Sequence, residues 1–326
     1  MVYLSKVMSE STPLLVTIVL PLYNEQDGLI GFHNSLTEEL AKIKSNIFEI
    51  IYCNDGSRDN SLEQLKSISH KDNRVRIITL SRNFGKEIAT TAGIQLARGA
   101  AVITLDSDGQ HPVELISQFI EEWNQGNKVV IGLRDSTAHT GIFKRISSNI
   151  FYGIFNRFTG IKLVQGATDF RLIDASVQKD FVKLTERNRI TRGLIDWLGY
   201  QRTYIKFTAK PRLNDKAAYS YKKLSKLAVD SLISLSNSPL YATAYIGAVV
   251  LPLSLLLGIT MIIDKLLGDP FKWHASGGAY VLVFMLCLVG ILLMSQGFIG
   301  LYLTHIHSET QNRPLYIIDD DSSIGL

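Results

Sequence analysis

The feature that most constrains this 326-residue chain is the absence of charge along much of its C-terminal third. No Asp, Glu, Lys or Arg occurs from Ser231 to Ile263, and a second charge-free run extends from Ala279 to Leu303. A membrane-spanning helix needs about 20 consecutive apolar residues. The second run reaches that length as a whole, and the first reaches it through a mainly apolar segment from Leu240 to Ile263. We therefore expect a hairpin of two transmembrane helices, with burial in a large soluble core as the alternative.

Basic residues lie on one side of the expected hairpin. Lys222, Lys223 and Lys226 precede the first run, whereas the segment between the runs carries equal numbers of Lys and Asp. Because Lys and Arg accumulate on the cytoplasmic side of membranes, we expect both termini and the N-terminal domain in the cytoplasm. Apolar residues recur at helical spacing in Tyr219 to Leu235 and in Ile142 to Phe158. This spacing predicts interfacial helices or, equally, helices packed in a core.

The N-terminal half alternates short β-rich runs with segments of helical period, which is typical of an α/β fold with a mostly parallel sheet. The first run, Leu14 to Leu20, is too short for a signal peptide and leads directly into a polar segment. We therefore interpret it as a buried strand. Strands are expected at 14–20, 48–53, 75–80, 100–105 and 128–131, and helices at 28–44, 61–69, 86–97 and 113–124.

Polar segments follow the expected strands. In an open parallel sheet, ligands bind beyond the carboxyl ends of the strands, where such segments converge. Any single segment is also compatible with an ordinary turn, but their common edge predicts a nucleotide-binding pocket. The segments are Tyr23 to Glu25, Asn54 to Asp59, Ser81 to Lys86 and Asp106 to His111.

Two carboxylates at Asp-x-Asp spacing follow one of these strands. Asp106 and Asp108 come directly after the apolar run Ala101 to Leu105. Hard divalent cations take oxygen ligands and share substrate phosphates, so the pair predicts a Mg²⁺ or Mn²⁺ site that stabilises a departing diphosphate. Asp319 and Asp321 have the same spacing, but they lie in a polar tail where solvation explains them.

Composition and motifs weaken the case for other classes of function. The net charge is +4, with 34 basic and 30 acidic residues, which is too balanced for a surface that binds nucleic acid. Cys53 and Cys287 are the two cysteines and lie far apart in sequence, so a disulfide framework is not expected. The glycine patterns of a P-loop or of a dinucleotide-binding turn do not occur in the sequence.

The chain carries four motif-like segments, which are Pro21 to Glu25, Asn54 to Asp59, Asp106 to Pro112 and Gly166 to Leu172. Taken in this order, they resemble family 2 glycosyltransferases. The paired apolar runs and the closing Arg313 to Tyr316 extend the resemblance over nearly the whole chain, to the polyprenyl-phosphate glycosyltransferases. That group includes dolichol-phosphate mannose synthases and bactoprenol glucosyltransferases.

The resemblance implies a GT-A fold, which is a Rossmann-like α/β catalytic domain with a mostly parallel sheet, followed here by the two-helix transmembrane hairpin. The expected chain divisions are a cytoplasmic catalytic domain at 1–215, an amphipathic interfacial helix at 216–238, two transmembrane helices at 239–304 and a cytoplasmic tail at 305–326.

The resemblance also implies roles for individual residues. Asp106 and Asp108 bind the metal and the diphosphate, and Gln110 completes the metal site. Lys86 lies in a loop beside the donor, where it contacts phosphate or sugar or else forms only a surface ion pair, and Arg134 is placed similarly. The residues expected around the base and ribose are Pro21, Tyr23, Glu25 and Asp55.

Asp169 and Arg171 match the family's Asp-Phe-Arg and are expected, with the aspartate pair, to be catalytic; Asp169 binds the sugar or the metal. The implied acceptor, a phosphate monoester, loses its second proton at about pH 6 and is already nucleophilic at neutral pH. A general base is therefore not required, and basic groups must hold the phosphate instead. Taken singly, each candidate is better explained by a solvated or headgroup-facing surface, and the prediction rests on the group. The candidates are Lys144, Arg145, Arg192 and Arg212.

One segment departs from the family pattern. Relatives often carry Arg-x-x-Gly-x-Ser-Lys-Tyr before the interfacial helix, whereas Arg212 to Tyr219 lacks the glycine, serine and lysine. The difference affects closure of this loop and the donor contact expected from Arg212. Lys216 is a candidate to replace the missing lysine. Asn54 also stands where many relatives have aspartate.

We therefore expect transfer of a hexose, best matched by glucose from UDP-glucose, to undecaprenyl phosphate at the cytoplasmic face, with inversion at the anomeric carbon. The expected partners are a nucleotide sugar, a polyprenyl phosphate, membrane lipid and, as a further option, a second copy of the chain, but no nucleic acid. Alternatives are another donor (GDP-mannose or a UDP-aminosugar), a processive polysaccharide synthase, and a non-catalytic membrane protein that binds nucleotide sugar. Two spans form a poor export channel, and the Gln-x-x-Arg-Trp motif of such synthases is absent from the sequence.

Overall fold

The computed structural model describes residues 13–134, 164, 166–187, 189–208, 263, 267 and 277–326; between 279 and 305, some side chains are not described. Its helices and strands belong to two compact units. One unit holds the sheet and residues 313–326, and the other holds the last helix. The strands are β1 (Leu14–Leu22), β2 (Asn46–Asn54), β3 (Val75–Thr79), β4 (Ala101–Thr104), β5 (Val129–Arg134), β6 (Ala167–Asp174) and β7 (Arg202–Phe207). The helices are α1 (Leu29–Lys42), α2 (Ser61–Lys71), α3 (Lys86–Leu96), α4 (Ile116–Asn124), α5 (Ala175–Lys183), α6 (Thr191–Trp197) and α7 (Gly277–Thr310).

The strands form one sheet in the order β3-β2-β1-β4-β6-β5-β7. Adjacent strands pair in parallel, except that β6 runs antiparallel to both β4 and β5. The chain moves outward from β1 to β2 and β3 on one side and then returns to place β4 on the other. The strand order therefore reverses between β1 and β4, and this reversal is where open α/β sheets bind ligands. The predicted α/β fold with a mostly parallel sheet is confirmed.

Both faces of the sheet are buried, which explains why the strands are nearly continuous apolar runs. Alternate residues of β1 point to opposite faces. Ile18 packs in the cluster that includes α1, α2 and α4, whereas Val19 packs in the cluster that includes α3, α5 and α6. Gly93 lets α3 lie close to the sheet, since a Cβ there would stand 2.3 Å from Val19 Cγ1 and 2.7 Å from Cys53 Sγ. The start of α3 lies at the ligand-binding edge because α3 follows the carboxyl end of β3.

The free edge of β3 is covered by the end of the chain. We call residues 313–326 the docked tail. Antiparallel bridges join Ile77 to Ile324 and Leu80 to Ile318, and a short 3₁₀ turn, Asp320–Ser322, separates the two points of contact. An uncovered edge strand offers unpaired N–H and C=O groups to other chains. The segment expected as a polar tail is thus partly an added edge of the sheet, although Asp321 itself is exposed as predicted.

The predicted hairpin falls only partly on the described residues. The second expected span, Ala279 to Leu303, lies within α7, whereas the first, apart from Ile263, lies outside them, as do the expected interfacial segments at 142–158 and 219–235. Among the residues that are described, no helix combines the length and the apolarity that a bilayer crossing requires. The hairpin stays a prediction.

Candidate active site

The loops after β1 and β2 are joined to each other by reciprocal hydrogen bonds at the carboxyl edge of the sheet. The Asn24 N–H donates to Ser57 Oγ (3.0 Å), and the Arg58 N–H donates to Asn24 Oδ1 (2.9 Å). Asn24 adopts a left-handed φ of 55°, which Asn tolerates better than most residues. On either side of it, Tyr23 is 40% exposed and Glu25 is half-buried. Both residues therefore lie at the edge where the sequence predicts nucleotide binding.

Pro21 lies in β1 beside the point where the strand order reverses. The last paired residues of β1 and β4 are Val19 and Thr104. Pro21 lies beyond this pair, so its missing N–H costs no hydrogen bond between these strands. The Pro21 carbonyl instead accepts a hydrogen bond from Ser107 Oγ (3.2 Å). Ser107 is the central residue of the Asp-Ser-Asp motif, so this bond fixes the motif against β1.

Asp55 holds the loop that follows β3. We call residues 81–86 the donor loop, after the role expected of it from sequence. The buried Asp55 carboxylate accepts the N–H groups of Phe84 (2.7 Å) and Gly85 (2.9 Å). Burial raises the pKa of Asp55, and these two donors offset part of that rise. Asp55, which the sequence places near the base and ribose, thus holds the backbone of the donor loop in this structure.

Gly56 has no room for a side chain against the donor loop. Its φ is +64°, and a Cβ would stand 2.5 Å from the backbone carbon of Arg82. We expect Gly56→Ala to lower the free energy of unfolding by at least about 1–2 kcal/mol, the cost of a left-handed non-glycine residue. Urea unfolding measures this change.

Gly28→Ala is the matched control for that variant, because Gly28 has a φ of −112° and nothing within 4 Å of the added Cβ. Equal unfolding free energies for the two variants would contradict the expected clash.

The Asp106-Ser107-Asp108 turn is fixed by its own neighbours. Asp108 Oδ1 accepts the N–H of Gln110 (3.0 Å), across the left-handed Gly109 (φ 74°). The Asp106 N–H donates to Nδ1 of His111 (3.1 Å), and burial lowers the pKa of His111. His111 therefore accepts through a neutral ring. No role was predicted for His111 from the sequence, although His111 lies in the segment that carries the metal prediction.

Lys86 joins two carboxylates that are far apart in sequence. Its Nζ lies 2.7 Å from Asp106 Oδ1 and 2.8 Å from Asp169 Oδ2. Burial disfavours the ammonium ion, but the carboxylates of Asp169 and Asp106 outweigh burial and raise the pKa of Lys86. Burial likewise opposes ionisation of Asp169, but Lys86 and Arg192 hold its pKa below the usual value. The structure thus brings together three predicted site residues from β6, α3 and the loop after β4.

A small pocket lies behind this cluster. Lys86, Asp169 and Arg192 line it together with Glu87 and Thr191. Glu87 accepts the N–H of Thr191 (2.8 Å), which ties α3 to the start of α6, and burial followed by the charge of Asp169 raises the pKa of Glu87. Arg192 is the one expected phosphate holder among the described residues. The other three, Lys144, Arg145 and Arg212, lie outside them.

Arg171 points to the same face of β6 as Asp169, but it is buried. Its side chain is 1% exposed and pairs with Asp196 of α6 (2.9 Å). The same guanidinium donates to the carbonyls of Thr168 and Arg192. These contacts are structural, and the catalytic role expected of Arg171 stays a prediction. Arg134 ends β5 at the ligand-binding edge and is exposed.

The aspartate pair suits a hard divalent cation. Asp106 and Asp108 are half-buried and offer carboxylate oxygens at the reversal point of the sheet, which are the ligands that Mg²⁺ and Mn²⁺ prefer. Within the described ranges, no group of three or more His, Cys, Asp or Glu side chains is arranged to hold a metal. A cation held here would draw further ligands from Gln110, substrate phosphates or water, as Mg²⁺ commonly does.

Comparisons with known proteins identify the family of this chain. Glycosyl transferase family 2 matches residues 17–181, which extend from within β1 to within α5 and include the aspartate pair. A glycosyltransferase of Synechocystis sp. is 38% identical over 306 residues, covering 94% of this chain and 95% of that protein. The bactoprenol glucosyl transferase of Shigella phage SfII is 34% identical over 304 residues, covering 93% of this chain and 97% of that protein.

A solved structure supports the fold alone. Mannosyl-3-phosphoglycerate synthase from Rubrobacter xylanophilus aligns with a TM-score of 0.52 and 17% identity, over 68% of this chain and 72% of that chain. The family match covers half of the sequence, and the relatives extend the similarity over nearly all of it. As its motifs predicted, the chain belongs to glycosyltransferase family 2.

Proposed function

We propose that this protein transfers a hexose from a nucleotide sugar to a polyprenyl phosphate, with UDP-glucose as donor and undecaprenyl phosphate as acceptor. The observation that carries the proposal is the meeting of Asp106, Lys86 and Asp169 at the reversal point of the sheet. Nearly full-length similarity to proteins named bactoprenol glucosyl transferases supports the choice of sugar and acceptor.

Charge compensation at the leaving diphosphate is the first task of such a site. Asp106 and Asp108 would hold Mg²⁺ or Mn²⁺, which when bound supplies positive charge to the departing oxygens. Lys86 contributes a fixed ammonium group beside Asp106. Groups held in place before reaction stabilise developing charge most effectively, and the hydrogen bonds from Ser107 and to His111 fix this loop.

Positioning of the acceptor is the second task. A phosphate monoester is largely dianionic at neutral pH, so its oxygen attacks the anomeric carbon without a general base. Arg192 lines the pocket beside Asp169, and we assign it to attract the acceptor phosphate. Asp169 keeps its charge because of Lys86 and Arg192, which suits it to bind sugar hydroxyls. A single displacement by the phosphate inverts the anomeric carbon, and we propose this course.

The apolar runs of the sequence support a proposal for the location of the acceptor. We propose that 240–263 and 279–303 cross the cytoplasmic membrane and that the catalytic domain and both termini face the cytoplasm. The flanking Lys222, Lys223 and Lys226 support that orientation through the positive-inside bias. A lipid-linked phosphate would then lie in the same membrane as the enzyme.

A donor screen tests the proposed activity. The full chain in detergent, with undecaprenyl phosphate and Mg²⁺, is given UDP-glucose, UDP-N-acetylglucosamine or GDP-mannose. We expect nucleoside diphosphate release with UDP-glucose, and only when the lipid phosphate is present. Release with another donor corrects the sugar, while tight nucleotide binding without product from any donor would support the non-catalytic alternative and overturn the enzyme proposal.

A further inference from the structure

The docked tail reaches the first residue of the donor loop. The Ile317 carbonyl accepts the N–H of Ser81 (2.9 Å), the residue at which β3 gives way to the loop. Further along, the N–H of Asp319 donates to the Thr79 carbonyl (2.8 Å), and Ile324 exchanges both backbone hydrogen bonds with Ile77 (2.8 and 3.0 Å). The tail therefore pairs with β3 up to the point where the strand leaves the sheet.

Side chains attach the tail more firmly than backbone pairing alone. Ile318 packs on the cluster beneath α3, and Ile324 packs on the cluster of the opposite face. The half-buried Tyr316 donates its hydroxyl to Gln95 Oε1 of α3 (2.6 Å). Arg76 donates to the Gly325 carbonyl (2.6 Å) while it pairs with the buried Glu49 (2.7 Å). The tail is thus anchored at both ends, on the helix that begins with Lys86 and on the sheet.

The donor loop consequently has three points of attachment. Ser81 is held by the tail, Phe84 and Gly85 are held by Asp55, and Lys86 is held by the carboxylates of the site. The side chains of Arg82 and Asn83 between these points are exposed. A loop that loses one of three attachments samples more conformations, and ligand binding must then restore the order.

We propose that the docked tail is a positioning element of the donor site, which acts by fixing Ser81 and through it the donor loop and Lys86. The inference rests on the proposed function for its kinetic consequence, though not for the contact itself. The proposed positioning role includes the segment Arg313 to Tyr316, which has no role in the transfer chemistry itself.

Ile318→Asp in the full chain tests the proposal, because it places a carboxylate against an apolar cluster. Ile317→Asp is the matched control: it adds the same charge one residue earlier, on a side chain that is 55% exposed. Amide hydrogen exchange at Ile77, Thr79 and Ser81 reports docking directly, because these N–H groups donate to the tail. We expect faster exchange at these amides and at Phe84 and Gly85 in Ile318→Asp alone.

The kinetic readout separates positioning from general destabilisation. If the loop is ordered in a tenth of the molecules, the apparent donor affinity falls about tenfold. We expect the donor KM to rise by that factor in Ile318→Asp, with the acceptor KM and the kcat at saturating donor close to wild type. Ser323→Ala removes the hydroxyl that accepts from the Thr79 N–H and donates to the Asp319 carbonyl. It is the milder variant and should shift the donor KM in the same direction.

Two results would overturn the proposal. One is faster exchange at Ile77, Thr79 and Ser81 with unchanged protection of Phe84 and Gly85. The other is a changed kcat or acceptor KM with an unchanged donor KM. Failure of the wild-type chain to turn over any nucleotide sugar would instead reject the proposed function, and the exchange comparison would still decide whether the tail orders the loop.

Discussion

Asp106→Asn and Asp108→Asn should each reduce kcat/KM for sugar transfer by about 10²–10³-fold, the range seen when one preorganised charge-stabilising group is removed. Asparagine keeps the shape of each side chain but removes the charge that holds a divalent cation. The fold should survive, since the ion pair between Asp106 and Lys86 is 25% and 45% exposed and such pairs contribute little to stability. Steady-state release of nucleoside diphosphate measures the effect.

The matched control is Glu121→Gln, which removes one carboxylate charge from an exposed position on α4 and should leave turnover unchanged. Chelation of divalent cations should inactivate the wild type, and added Mg²⁺ or Mn²⁺ should restore it. Near-wild-type turnover in both aspartate variants, or full activity in the presence of chelator, would rule out the assignment of this pair.

Asp196→Ala should lower the free energy of unfolding by about 3–5 kcal/mol, the cost of leaving a buried charge without its partner. Arg171 is 1% exposed and Asp196 is 3% exposed, at 2.9 Å from each other. Arg171 Nη2 already lacks a hydrogen-bond partner in the described part of the chain. The carbonyls of Thr168 and Arg192, which accept from the same guanidinium, do not replace the lost negative charge. Chemical denaturation of the purified variant measures the change.

Glu63→Ala provides the comparison, because Glu63 forms an ion pair with Lys66 that is largely exposed. Its loss should cost under about 1 kcal/mol. A similar small cost for Asp196→Ala would show that the buried pair is not a structural support.

The double variant Arg171→Met with Asp196→Leu decides between a structural and a catalytic role for Arg171. Replacing both charges by apolar groups should restore much of the lost stability, as it does for other buried ion pairs. Recovered transfer activity would make Arg171 a structural residue only. A folded but inactive double variant would support the catalytic role predicted from its motif.

Local patterns in the sequence predicted most of what depends on neighbouring residues. The expected strands at 14–20 and 75–80 match β1 and β3 to within two residues at each end, and the expected helix at 61–69 matches α2 equally well. Burial of both sheet faces makes each strand apolar throughout, and turn residues mark its ends. The same reasoning placed Asp106 and Asp108 after a buried strand, because parallel strands put their following loops at one edge.

The tertiary structure alone decided which distant residues meet. β6 enters the sheet in reverse between β4 and β5, so Asp169 lies beside Lys86, 83 positions away. The same insertion buries Arg171 against Asp196, and the edge of β3 receives the docked tail, which sequence composition describes only as polar. Helical and strand periodicity record which face of an element is buried. They carry no information on strand order or on which edge stays open, because these depend on packing between segments far apart in the chain.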